Sequence, residues 1–278
     1  MPVDIYQGGF EHTTLHLLYS RFVYKFLYDI GVVPTKEPYA KRRSHGIVLG
    51  SDGRKMSKSF GNVINPEDIV DRFGADTLRV YEMFMGPFDQ TIAWNEEGVQ
   101  GCFRFLKRVW ALCNNKVSDK KTSTALLSKL HKTIKKVSED IENMKFNTAV
   151  ASMMEFINDW QADGEGLNKE DLRLFLLILA PFAPHVTEEI WHNLKPGAKS
   201  IHLESWPSYK QTLVESAEIT LVIQINGKVR DKAEVKKGLS KEQAEKAARS
   251  REKIEKLLKA SKIKDVIYVP DRLINFVA

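Results

Sequence analysis

Thirteen consecutive residues hold most of the chemistry this chain can offer: Gly50-Ser51-Asp52-Gly53-Arg54-Lys55-Met56-Ser57-Lys58-Ser59-Phe60-Gly61-Asn62. The glycines let a backbone bend closely around an anionic ligand, and the lysines and serines can set ammonium groups and hydroxyls on its oxygens. Composition alone favours a basic, glycine-rich surface turn. The order Lys-Met-Ser-Lys-Ser is far more specific than composition.

Such a loop needs rigid flanks, and the sequence supplies them. The apolar run Gly46-Ile47-Val48-Leu49 reads as a strand leading in. A helix starts beyond it: Asn65 suits the cap, Pro66 the first position, and Glu67 and Asp68 the positive end of the dipole. Ile69, Val70, Phe73, Leu78, Val80, Tyr81, Met83 and Phe84 then predict paired helices broken at Gly74 and ended by Gly86-Pro87.

Upstream, residues 3–6 read as a short strand running into Gln7-Gly8-Gly9-Phe10-Glu11-His12. A helix follows, with Leu15, Leu18, Phe22, Val23, Phe26, Leu27 and Ile30 on one stripe. Strand, glycine turn and helix N-terminus make half of a nucleotide-binding α/β unit. Glu11 can accept hydrogen bonds from ribose hydroxyls, although a plain tight turn explains these residues better when they are taken alone. His12 and His16 stand one turn apart and could share a metal, but no third ligand lies nearby; a polar cleft or a packing role fits better. Residues 34–45 read as a turn-rich connection back to the next strand.

From about Glu96 to Leu194 the pattern is helical throughout, with short links, which predicts a bundle. Leu106, Val109, Trp110 and Cys113 share one stripe, and lysine-rich faces such as Lys129, Lys132 and Lys135-Lys136 read as solvation. His185 opens the last helix and reads as a cap or core residue. A linker follows, and then a compact α+β module. In it Leu221, Ile223 and Ile225 alternate before an Asn226-Gly227 hairpin, and Ser240 with Gln243 is a capping box for a helix running to about Ala260. Val266–Val269 and Leu273–Val277 supply further strands.

The bulk numbers bound the rest. A chain of 278 residues can bury a sizeable core in two or three domains. No apolar run is long enough to span a bilayer, so no membrane role is expected, and Cys102 and Cys113 form neither a disulfide framework nor a zinc site; a cytoplasmic location is the default. The net charge of +6 is uneven: residues 226–264 carry 14 Lys and Arg against 6 Asp and Glu. A solvated basic face is the plain alternative, but the concentration of the charge favours a face that contacts phosphate backbones.

The motifs together resemble one family. Lys55-Met56-Ser57-Lys58-Ser59 matches the second signature of class I aminoacyl-tRNA synthetases. Tyr6-Gln7-Gly8-Gly9-Phe10-Glu11-His12 with Leu15–Phe22 closely resembles the block after the editing insertion in bacterial leucyl-tRNA synthetases; isoleucyl and valyl relatives usually start this helix differently. Phe73–Arg79, Ala180–His185 with Glu188-Glu189-Ile190-Trp191, Ile225–Arg230 and Val266–Pro270 fit the same family. The resemblance departs in one place: the extra module many leucyl enzymes carry ahead of the loop is absent.

The resemblance implies a multidomain α/β plus α chain. Residues 1–95 would form the C-terminal half of a Rossmann-type catalytic domain, 96–205 an anticodon-binding-type helical bundle, 206–217 a linker and 218–278 a basic α+β tRNA-binding domain. It implies leucine–tRNA ligation, with ATP, Mg2+ held by the phosphates, leucine and tRNA-Leu as ligands, and no metal bound by protein side chains. Lys58, secondarily Lys55, would be catalytic; Gly8, Gly9, Glu11, His12, Ser57 and Ser59 would hold ATP. Lys228, Arg230, Lys232, Lys236, Lys237, Arg249 and Arg251 would face tRNA, Met56 would pack the loop, and Asp76 with Arg79 would lock it from beneath. No His-Ile-Gly-His-type signature occurs, so the expectation is a C-terminal half or β subunit needing an N-terminal catalytic chain; a stand-alone tRNA-binding or regulatory module is the alternative.

Overall fold

The computed structural model describes residues 2–214, 218–236, 238–259 and 263–277. The chain divides into two compact units, Met1–Tyr209 and Lys210–Ala278.

The first unit opens with β1 (Val3–Gly9), α1 (His16–Asp29) and β2 (Tyr39–His45), the two strands pairing in parallel from Val3 against Tyr39 to Gly9 against His45. The second strand corrects the expected turn-rich connection. Its sequence, Tyr-Ala-Lys-Arg-Arg-Ser-His, lacks the apolar run of a parallel strand, and pairing with β1 imposes the extended backbone. Polar bonds fix α1 to this strand's approach: Arg21 bonds Glu37 through two nitrogens at 2.8 Å, and Tyr39 donates to Ser20. The other face of α1 is uncovered. Leu15, Leu18, Phe22, Phe26 and Ile30 are all exposed, Phe22 at 75%, and no residue of the helix is buried.

β3 (Val48–Leu49) precedes the glycine-rich loop and pairs in parallel with β4 (Ile92–Ala93). Between them lie α2 (Pro66–Phe73) and α3 (Ala75–Phe84), split by Gly74 at φ 87° as the sequence predicts. Gly46 sits where only glycine fits: a Cβ there would lie 1.7 Å from the Gln90 carbonyl oxygen.

The bundle follows as α4 (Glu96–Asn115), α5 (Thr124–Glu142), α6 (Phe146–Ala162), α7 (Lys169–Leu179) and α8 (Pro184–Leu194). A two-residue parallel bridge of β5 (Val117–Ser118) with β6 (Leu167–Asn168) is its one addition to the helical pattern. Its core is fully buried around Leu130, Ile134, Phe156, Trp160 and Phe175, and runs without interruption to Val80, Tyr81 and Trp94. The bundle is thus one hydrophobic body with the α2–α3 pair. Cys102 and Cys113 lie against this core, and burial pushes both thiols up to about 12.

Asp76 and Arg79 bond to the start of α8 and its approach, not to the loop. Asp76, 8% exposed, accepts from the Val186 amide at 2.7 Å, from His185 Nδ1 at 2.7 Å and from the His185 amide. It caps α8 from a neighbouring helix, while Arg79 donates to the Pro181 carbonyl. Ala183, at the N-cap of α8, has no side-chain acceptor, so the amides of the first turn need one from elsewhere.

The second unit contains α9 (Gln211–Val214), β7 (Glu218–Ile225), β8 (Lys228–Lys236), α10 (Lys241–Arg249), α11 (Glu252–Lys259), β9 (Asp265–Val269) and β10 (Leu273–Val277). The sheet order is β8-β7-β10-β9, with β7 and β10 parallel. Asn226 at φ 50° and Gly227 at φ 75° make the hairpin turn, and the Ser240–Gln243 capping box is formed. The expected single helix is two: α10 ends at Arg249, yet Ala244, Ala248, Ile254 and Leu258 all reach the core.

Removing the α8 cap tests this packing. Asp76→Ala is expected to cost about 1–3 kcal/mol in urea unfolding, since it strips a cap and orphans buried amides. An unchanged unfolding midpoint would mean that water replaces the carboxylate.

Candidate nucleotide-binding loop and basic hairpin

The loop between β3 and α2 is braced from within. Asp52 accepts from the Arg54 amide and guanidinium and from Asn62 Nδ2, which holds its carboxyl below the usual range, the Arg54 amide contributing most. Asn62 reaches three ways: Oδ1 accepts the Ser57 amide at 2.9 Å, and Nδ2 donates to Asp52 and to the Lys55 carbonyl. Ser57 and Ser59 hydroxyls bond each other at 2.7 Å, and Arg54 stacks over Phe60 at 5.0 Å. Lys55 also pairs by its backbone with Leu49.

This network spends Arg54 on Asp52 and leaves two cations over. Lys55 and Lys58 are exposed and make no ion pair among the described residues. Met56 is half-buried against the core, next to Leu78 and Trp94. The backbone is therefore fixed while two ammonium groups project from it.

At the end of β1, Gly9 is buried, Gly8 and His12 are half-buried, and Glu11 is exposed on the short 3-10 turn Phe10–Thr13. His12 Nδ1 is buried and without a partner, an uncommon state for a polar nitrogen. His16 is occupied elsewhere, bonded to and stacked on Tyr6. No cluster of three metal-ligating side chains occurs among the described residues.

In the second unit Lys228, Arg230 and Lys232 are exposed along one strand of the hairpin, with a bulge at Ile223/Gln224. Arg249 is tied to Glu245 at 2.9 Å and stacks over Phe276; Arg251 is tied to Asp231 at 3.1 Å. The side chain of Lys236 and the whole of Lys237 lie outside the described residues.

Two family profiles match the chain: "tRNA synthetases class I (I, L, M and V)" over residues 2–95, and "Anticodon-binding domain of tRNA ligase" over residues 123–246. Half of a nucleotide fold, a Lys-Met-Ser-Lys-Ser loop and a helical bundle in this order thus belong to a class I tRNA synthetase. Within that class the chain is a homologue of part of leucine–tRNA ligases. It is 49% identical over all 278 residues to the leucine–tRNA ligase of Alkaliphilus oremlandii (strain OhILAs), of which it spans 34%. It also superposes over 100% of its length, at TM-score 0.82 and 34% identity, on 38% of the chain in a ternary LeuRS–tRNA–LeuAMS complex of Agrobacterium radiobacter K84. A methionyl-tRNA synthetase of Mycobacterium tuberculosis, 18% identical, shares the fold over 68% of this chain and 44% of its own at TM-score 0.51.

The bracing carries a test. Asn62→Ala removes the bonds to three loop partners at once, so tryptic cleavage after Lys55 and Lys58 in the native chain should accelerate several-fold, as local opening becomes easier. Equal cleavage rates would show that Asn62 does not hold the loop.

Proposed function

We propose that this chain supplies the Lys-Met-Ser-Lys-Ser loop to ATP-dependent leucyl-adenylate formation and binds tRNA-Leu for charging, in company with an N-terminal catalytic chain or segment. One observation carries the reading: two unpaired ammonium groups stand on an internally braced loop beside a β-α-β unit that is only half covered. The span of 34% of a leucine–tRNA ligase agrees with it.

The fit to ATP rests on side chains left wanting a partner. His12 Nδ1 is buried and unpaired, and the lysines are free of carboxylates. ATP supplies the activated phosphoryl group that leucine's carboxylate attacks. Lys58, assisted by Lys55, neutralises charge that builds on the α-phosphate and the departing pyrophosphate. Ser57 and Ser59 exchange their mutual bond for bonds to phosphate oxygens. Gly8 and Gly9 admit the adenosine side close to the backbone, with Glu11 accepting from the ribose and His12 donating. Mg2+, if it accompanies ATP, rides on the phosphates.

The apolar stripe of α1 and the open edge of β1 are where the remaining half of the nucleotide fold would pack. A parallel pair of strands is normally covered on both faces, and a two-stranded sheet is marginal alone. Lys228, Arg230 and Lys232 are the residues best disposed for tRNA phosphates; Arg249 and Arg251 contribute less, each being held by a carboxylate. No helix among the described residues is long and apolar enough to cross a membrane, and the proposed place of action is the cytoplasm.

Leucine-dependent ATP–pyrophosphate exchange tests the reading. The chain alone should be inactive and should regain exchange when mixed with a chain carrying the N-terminal segment of a leucine–tRNA ligase. In the mixture Lys58→Ala should lower the exchange rate about 10²–10³-fold, the scale of losing one group that stabilises transition-state charge. Full exchange without the partner would contradict the proposal. Restored exchange that Lys58→Ala leaves unchanged would remove Lys58 from the chemistry. Binding of tRNA without any restorable exchange would favour the stand-alone binding module.

A further inference from the structure

A cleft of about 720 Å3 in the first unit is separate from the loop and faces the bundle. Four segments distant in sequence line it: Phe10 after β1, β2 and its exit (residues 42–47), the turn before β4 (residues 87–91), and the turn between α5 and α6 (residues 143–147). Arg42, Arg43 and Lys145 line it against a single carboxylate, Asp89. Arg43 and Lys145 are exposed, and neither side chain has a partner among the described residues. Arg42 donates weakly to the Gly9 carbonyl at 3.4 Å, but its Nε is buried and unpaired.

Two arginines on one parallel strand are a poor choice for folding. A strand in such a sheet is ordinarily apolar, and a buried guanidinium nitrogen without an acceptor costs stability. Only an acceptor brought to Arg42 Nε would remove the penalty.

The cleft is also built rather than incidental. Its floor is anchored through aromatic contacts, His45 to Phe88 at 6.2 Å, Phe88 to Phe146 at 5.9 Å and Phe146 to Phe182 at 6.4 Å, the last in the bundle core. The turn that presents Lys145 is held by Asp140, 4% exposed, which accepts from Lys136 and from Thr148 Oγ1. Met144 in that turn adopts φ 57°, a left-handed conformation that side chains resist. At the mouth, Phe10 is 70% exposed with the Arg42 guanidinium 5.9 Å from its ring centre.

We propose that this cleft seats a phosphate of an RNA strand between Arg43 and Lys145, with the adjoining nucleoside against Phe10. Cations at fixed positions beside an open aromatic face suit a backbone phosphate and its base, and the volume far exceeds one phosphate. Positions on β2, whose end meets the glycine turn, and on the bundle would thereby engage one RNA at once. The proposal rests on the tRNA-binding reading above and adds a second contact point to it.

The test uses the full chain and a tRNA-Leu transcript, with binding followed by fluorescence anisotropy from 50 to 300 mM KCl (conditions roughly spanning the steep part of the salt dependence). The double variant R43A/K145A should weaken binding about tenfold at about 150 mM KCl and shallow the log–log salt slope by roughly 0.7–1.8, the range for one or two lost phosphate contacts. Circular dichroism and the melting temperature should stay as in wild type, since both side chains are exposed. F10A should weaken binding while leaving the salt slope in place. A triple variant, K228A/R230A/K232A, serves as the reference for the basic hairpin. Weakened binding in the triple variant with wild-type binding in R43A/K145A overturns the cleft assignment and leaves the tRNA reading standing. Wild-type binding in both overturns the two together. A calorimetric titration with inorganic pyrophosphate distinguishes the source of the phosphate: its loss in R43A/K145A without any loss of RNA affinity overturns the RNA assignment.

Discussion

The buried carboxylate of Asp76 is the joint on which the first unit turns. It stands one residue beyond the start of α3, two residues past the Gly74 break, and it supplies the acceptor that α8 cannot provide for itself. Because only three residues separate the loop from α2, the position of that loop relative to the bundle is set through this one contact and the shared core around Tyr81 and Trp94. A helix cap between elements more than 100 residues apart converts two local structures into one body. The lysines of the loop are consequently carried on a rigid frame, and only their side chains are free to answer a ligand.

The opposite end of the unit has no such closure. The face of α1 that repeats at helical spacing is apolar and uncovered, and the helix is attached to β2's approach by polar bonds instead. The physical contrast is sharp: the bundle buries its stripes almost completely, whereas the nucleotide-fold half leaves Phe22 and Phe26 in solvent. An apolar surface of this extent marks an interaction site. It is the surface that the proposed N-terminal chain or segment would cover.

Much of this was legible from residue order. Asn65-Pro66-Glu67 specifies a helix start through local bonds, Asn226-Gly227 specifies a hairpin through backbone conformation, and the Ser240–Gln243 box closes on itself. What stayed hidden depended on distant partners. β2 has no apolar signal because its pairing with β1 comes from position in the fold. Asp76 looked like a support for the loop because its true partners lie at 185 and 186. Arg249 and Arg251 looked free in a charge count, yet Glu245 and Asp231 hold them. The helix stripe from Ala244 to Leu258 hid a break, since both halves keep the same face inward. The α1 stripe was seen correctly, but a pattern cannot say what covers it.

The central claim is that this chain is half of a site and that α1 is where the other half seats. Hydrogen–deuterium exchange of the α1 amides, with and without an N-terminal leucine–tRNA ligase segment, tests it directly. The account predicts that residues 16–29 exchange readily in the chain alone and become protected when the segment is added, with no comparable change in the bundle core. Exchange in α1 that is unaltered by a segment capable of restoring activity would contradict it.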